Sequence, residues 1–166
     1  MSIQKPEAVD EFAEQARIFC SWGSENSSGD SAIEALAVTL ANLIAAGFRL
    51  GWSEGIPTDK DKQLEVPEFF REAALALPFR YYSEIFNTLV VPPEDPVVGD
   101  LIDDILDIYS DLIPGLEQYD QGNKSIAADH WRFWLHHHWG EHATSATRAI
   151  WSFLANRDGV PDTGGP

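Results

Sequence analysis

The stretch DLIDDILDIYSDLIPGLEQY, residues 100–119, decides the fold class. At about 100° per residue, Leu101, Ile105, Ile108, Tyr109, Leu112, Leu116 and Tyr119 fall on one side of a helix. Asp100, Asp103, Asp104, Asp107 and Asp111 fall on the other. Asp100 is placed to cap this helix, with Asp103 three residues on, and carboxylates in a first turn are favoured by the helix dipole. The aspartate stripe is therefore expected to point mostly to solvent, the usual place of a charged run. Asp104 and Asp111, nearer the edge of the apolar face, are the two that could turn inward toward a ligand.

The same three-and-four spacing recurs outward from this helix, and alternation of the strand kind is almost absent. Val9 to Cys20 forms one stripe, through Phe12, Ala13, Ala16 and Phe19. Ile33 to Phe48 forms another, opened by a Ser31–Glu34 pair at capping-box spacing and running to about Leu50. A charged connection, Gly51 to Leu64, precedes a third helix, Pro67 to Leu77, which Pro78 ends. Tyr81, Tyr82, Ile85, Phe86 and Leu89 suggest a short fourth helix before the proline-rich segment 91–96. After the helix at 100–119, a second long one is expected from Ser125 to Asn156. The prediction is an all-α fold: a bundle of five or six helices, the last two long, in a single domain over residues 1–157. The glycine- and proline-rich residues 158–166 are expected to form a mobile tail.

Composition narrows the functional classes. The 166 residues carry 27 Asp and Glu against 11 Lys and Arg, a formal charge of −16. Such a field repels phosphate backbones and anionic lipid, so neither nucleic acid nor membrane is expected as a partner. No apolar run was expected to reach a membrane span, and the acidic start MSIQKPEAVDEF is unlike a signal peptide, which makes the cytoplasm the expected location. Cys20 is a lone cysteine on an apolar stripe and reads as a small core residue. No phosphate loop, paired-cysteine metal spacing or nucleophile elbow is present in the sequence.

Chemistry concentrates in HWRFWLHHHWGEHATSATRAIW, residues 130–151, which holds all five histidines and four of the six tryptophans. On a continuous helix, Trp131, Trp134, Leu135, Trp139, Ala146, Ala149, Ile150 and Phe153 form the apolar face, with His138 and His142 near its centre. His136 and His137 point elsewhere, so the triple histidine is not read as a chelating run. His138 and His142, four apart, bring their Cβ atoms to about 5–6 Å and can share one metal ion. His138-Trp139-Gly140-Glu141-His142 also matches the H-x-x-E-H core of inverted zinc proteases, which is set aside because only 24 residues follow it. Further ligands would have to come from Asp104, Asp107 or Asp111, on the side assigned to solvent. The simpler reading is a buried, neutral pair bonded to Tyr109 or Asp111 of the facing helix, with pKa values lowered by burial.

The segments LPFRYYSEIFN (77–87), PPEDPVVGDLIDDILDIYSDLIPGLEQYDQGN (92–123) and WRFWLHHHWGEHATSATRAIWSF (131–153) together resemble a known family. It is a family of small, acidic, mainly bacterial proteins classed as a domain of unknown function. Its marks are a D-I-Y-x-D-L run and a later W-R-F…H-W-G-x-H segment. The resemblance implies an all-helical fold and a bacterial cytosolic origin, and it carries no activity. Its marked positions fall on Asp107, Tyr109, Asp111, Trp131, Arg132, Phe133, His138, Gly140 and His142.

Two functions of different class follow. The first is a non-enzymatic interaction or regulatory protein whose acidic face, Asp100 to Asp120, meets a basic protein. The second is a metal- or small-molecule-binding enzyme using His138, His142 and a carboxylate or Tyr109. The first is the leading expectation, with no catalytic residue assigned and no cofactor predicted, a divalent metal being the one the pattern would admit.

Overall fold

Long-range packing joins the predicted stripes in a computed structural model that describes residues 6–24, 29–51 and 64–157. Among the described residues are α1 (Pro6–Cys20), α2 (Asp30–Leu50), α3 (Glu68–Leu75), β1 (Tyr81–Glu84), β2 (Val97–Asp100), α4 (Leu101–Asp120), α5 (Lys124–His137) and α6 (Trp139–Asn156). Most of the Gly51–Leu64 connection and the expected tail at 158–166 lie outside the described residues.

The core is continuous. Phe12 and Phe19 of α1, Leu36, Leu40 and Leu43 of α2, Ile105, Ile108 and Leu112 of α4, Trp131 of α5 and Trp139 of α6 are fully buried in it. Phe12 touches both tryptophans, at ring separations of 4.8 and 5.7 Å. Burying such a side chain contributes about 1.5–3 kcal/mol, so these stripes hold the bundle. α2 is long and apolar enough to cross a membrane by length and composition, contrary to the expectation of no such run, with a mean hydropathy of 1.6. Here it lies against α1, α5 and α6.

Three local expectations are corrected. The segment expected as a fourth helix contains a strand. Tyr81–Glu84 pairs antiparallel with Val97–Asp100, in the register Tyr81 to Asp100 and Glu84 to Val97. Its exposure alternates, with Tyr82 and Glu84 turned toward the protein, a period of two hidden inside a short apolar run. Next, α2 starts at Asp30 with Gly29 as its cap and no side-chain cap bond, so the Ser31–Glu34 capping box does not form.

The third correction governs the site. The expected single helix from Ser125 to Asn156 is two helices, broken at His138 (φ −158°, ψ −82°), which ends α5 and opens α6. Gly140 permits the break: a Cβ there would stand 2.0 Å from the Leu135 carbonyl oxygen. The sequence shows this glycine, whose close neighbour is the preceding turn of its own chain.

α4 is pinned to α5 where Pro114 interrupts its hydrogen-bond ladder. Two carbonyls nearby accept side-chain bonds, Asp111 O from His130 Nε2 at 2.8 Å and Leu112 O from Trp131 Nε1 at 3.1 Å. Gly115 makes room for the Trp131 ring, which a Cβ would meet at 2.1 Å.

Candidate metal centre

Asp100 caps α4 as expected, accepting from the amides of Ile102 and Asp103. It also pairs with Arg80 at 2.7 Å. Burial pushes its carboxyl up, but the Arg80 guanidinium and the two amides outweigh this and hold it below the ordinary range.

The remaining aspartates correct the solvent-facing assignment. Asp103 is exposed, but Asp104 is 5 % exposed and Asp111 fully buried, with Asp107 half-buried between them. Positions 104, 107 and 111 are three and four residues apart and share a face of α4. That face lies against α6.

Two histidines meet the two buried carboxylates. His138 Nδ1 donates to Asp111 Oδ2 at 2.6 Å, and His142 Nδ1 to Asp104 Oδ1 at 2.7 Å. Rising numbers on one helix meet falling numbers on the other, so α4 and α6 run antiparallel here. A carboxylate accepts and does not donate, so each ring carries its hydrogen on Nδ1, which leaves Nε2 as the free lone pair of the neutral ring. The imidazole rings stand 4.6 Å apart, nearly edge to face. His142 Nε2 is 3.5 Å from Asp107 Oδ2. One ligand atom from each of Asp107, His138 and His142 lies within 4.8 Å of the others.

The pair is half-buried, with side chains 33 % and 26 % exposed, and the expectation of lowered pKa values is reversed for His142. Its hydrogen bond to Asp104 raises its pKa above the usual histidine value. The charges of Asp104, Asp107 and Asp111 act the same way, against the smaller opposite effect of burial. Three carboxylates on one face outweigh desolvation.

The structure also divides the other candidates. Tyr109 does not reach the histidines: it is buried on a different face of α4, its ring 4.7 Å from that of Phe70. Trp131 is a core filler. Arg132 is buried and donates from Nε to the Leu50 carbonyl at 2.7 Å, with Asp129 3.2 Å from Nη1, which makes it a brace between α5 and the end of α2. His136 and His137 are exposed, as expected. Sequence reasoning missed Tyr82, whose hydroxyl donates to Asp104 Oδ2 at 2.6 Å and so fixes the carboxylate that orients His142. It also missed His130. The spacing of Asp104, Asp107 and Asp111 against His138 and His142 carries the signal: the inward turn open to Asp104 and Asp111 and the His138–Asp111 bond are both present, whereas the bond to Tyr109 is not.

The family described as Domain of unknown function (DUF5063) matches residues 4–156. The chain belongs to the DUF5063 family. No match is found among curated proteins. A crystal structure of protein BF1032 from Bacteroides fragilis is similar to this DUF5063 chain, with a TM-score of 0.67 and 15% identity over 89% of this chain and 92% of that one. At that identity the likeness extends to the fold, and the helical architecture of this DUF5063 protein has a counterpart in a solved structure.

Proposed function

We propose that this protein binds a divalent first-row metal ion through His138, His142 and Asp107, in a centre with open coordination positions. The observation that carries the reading is the double carboxylate–histidine pairing. Histidines that ligate metals characteristically donate their other ring N–H to a carboxylate, which fixes tautomer and ring direction and raises basicity. Both histidines have that partner here, and the third group is an anionic oxygen, a donor set that suits zinc or iron(II). Closing the three atoms onto one ion takes side-chain shifts of about 1 Å, given ligand bonds of about 2.0–2.2 Å. Three protein ligands leave room for water or substrate, as in catalytic rather than structural centres.

This reading stands above the acidic docking face because the carboxylates of that face are largely engaged within the chain. Asp104 and Asp111 hold the histidines, Asp100 pairs with Arg80, and Asp120 pairs with Arg17.

The test is zinc titration of tag-free, chelator-treated protein by calorimetry. One ion per chain is expected, with binding lost in His142→Ala and in Asp107→Asn and retained in a His136→Ala/His137→Ala double variant. Zinc that binds through His136 and His137 alone, or no zinc at micromolar concentration, refutes the reading.

A further inference from the structure

Between β1 and α6, starting one turn of α6 beyond His142, lies a cavity of about 570 Å³, in the size range of small-molecule sites. Tyr82 belongs to both places: it lines the cavity and its hydroxyl holds Asp104. On α6 the cavity wall begins at Thr144 and Ser145, within one turn of His142, and continues through Arg148 and Ser152. At about 1.5 Å per residue, Arg148 stands about 9 Å along the axis from His142. Helical side chains lean back toward the N-terminus, which carries an arginine's reach toward the histidines.

The polar groups of this wall divide by what they already do. The Thr144 hydroxyl donates to the carbonyls of Gly140 and Glu141, and Ser145 donates to Glu84. Among the described residues, Arg148, Ser83, Thr88 and Ser152 have no protein partner for their side-chain donors, although the chain carries 27 carboxylates. The Arg148 guanidinium and the Thr88 and Ser152 hydroxyls therefore line one cavity uncommitted, while the Ser83 side chain lies on the face of β1 opposite Tyr82 and Glu84. Ile85 and Ala149 add apolar surface.

We infer that this cavity is the substrate pocket of the metal centre and takes a small phosphate monoester, its phosphate held by Arg148 with Thr88 and Ser152. This deepens the metal reading and rests on it. A guanidinium gives a phosphate two parallel charge-assisted bonds, and a dianion with three terminal oxygens uses donors from two walls better than a planar carboxylate does. The bound ion supplies positive charge on the far side of Tyr82, which lets a dianion settle in an otherwise acidic protein.

The test uses phenyl phosphate as probe, with binding measured by calorimetry on zinc-loaded and chelator-treated protein. Zinc-loaded protein is expected to bind it at least tenfold more tightly than chelator-treated protein. Arg148→Ala should weaken that binding at least tenfold while changing zinc affinity less than twofold. Arg148 is exposed, so its replacement tests binding rather than folding. If zinc binds and phenyl phosphate does not, or if Arg148→Ala or the removal of zinc leaves phenyl phosphate binding unchanged, the pocket assignment is overturned and the metal centre stands. If zinc fails to bind, both fall.

Discussion

Asp111 joins two histidines of different elements: its side chain takes a bond from His138 and its backbone carbonyl one from His130. Removing a fully buried carboxylate leaves a cavity and deprives His138 of its partner. Asp111→Ala is expected to lower unfolding free energy by about 2–3 kcal/mol in denaturant titrations without metal. Asp111→Asn keeps the volume but weakens the hold on the ring, so zinc affinity should fall about 10–100-fold. A variant with unchanged stability and affinity would show that the carboxylate does neither job. His142 gives a pH signature. Its folded pKa is raised above the unfolded value near 6.5, so its contribution to stability is full below about pH 6.5 and is lost as pH rises through the folded value. In chelator-treated protein, the stability difference between wild type and His142→Asn should hold level below about pH 6.5 and shrink as pH rises above it. A difference that grows with pH contradicts the assigned sign.

Two elements aim the site. The break at His138 separates α5 from α6 and sets the two histidines against Asp111 and Asp104. A side chain at Gly140 collides with the Leu135 backbone, which cannot yield as a flexible side chain would. Gly140→Ala should therefore cost about 1–3 kcal/mol and disturb zinc binding together with stability. Calorimetry and thermal melts on the same variant check the pairing, and wild-type behaviour in both would mean that the break tolerates a Cβ. The β1–β2 ribbon contributes Tyr82. Tyr82→Phe removes the hydroxyl that donates to the buried Asp104 carboxylate, with an expected loss of about 1 kcal/mol and a drop in zinc affinity smaller than that of Asp111→Asn. These elements differ in how far they could be read in advance. The stripes of α1, α2 and α4 followed from spacing because one face of each is uniformly apolar. The ribbon did not, because four residues are too few for alternation to stand out from the helical spacing around them.

Over the whole molecule the charge of −16 acts as self-repulsion, and the carboxylates gathered on α4 carry much of it. Raising sodium chloride from about 0.02 to about 0.5 M should therefore raise the melting temperature by a few degrees, through screening. A fall would mean that ion pairs such as Arg80–Asp100 outweigh the repulsion. The helical class and the apolar core followed from the sequence alone, since periodicity reports directly which face a helix buries, whereas His138 and His142 come together across a helix break and half-buried rather than on the buried face of one helix. The inward turn of Asp104 and Asp111, the break at His138 and the place of Tyr82 were decided only by tertiary structure. A helical wheel sorts residues by polarity on a straight helix. A carboxylate, however, is buried when a partner 27 or 38 residues away supplies the hydrogen bond that offsets its desolvation, and that partner exists only once the chain has folded.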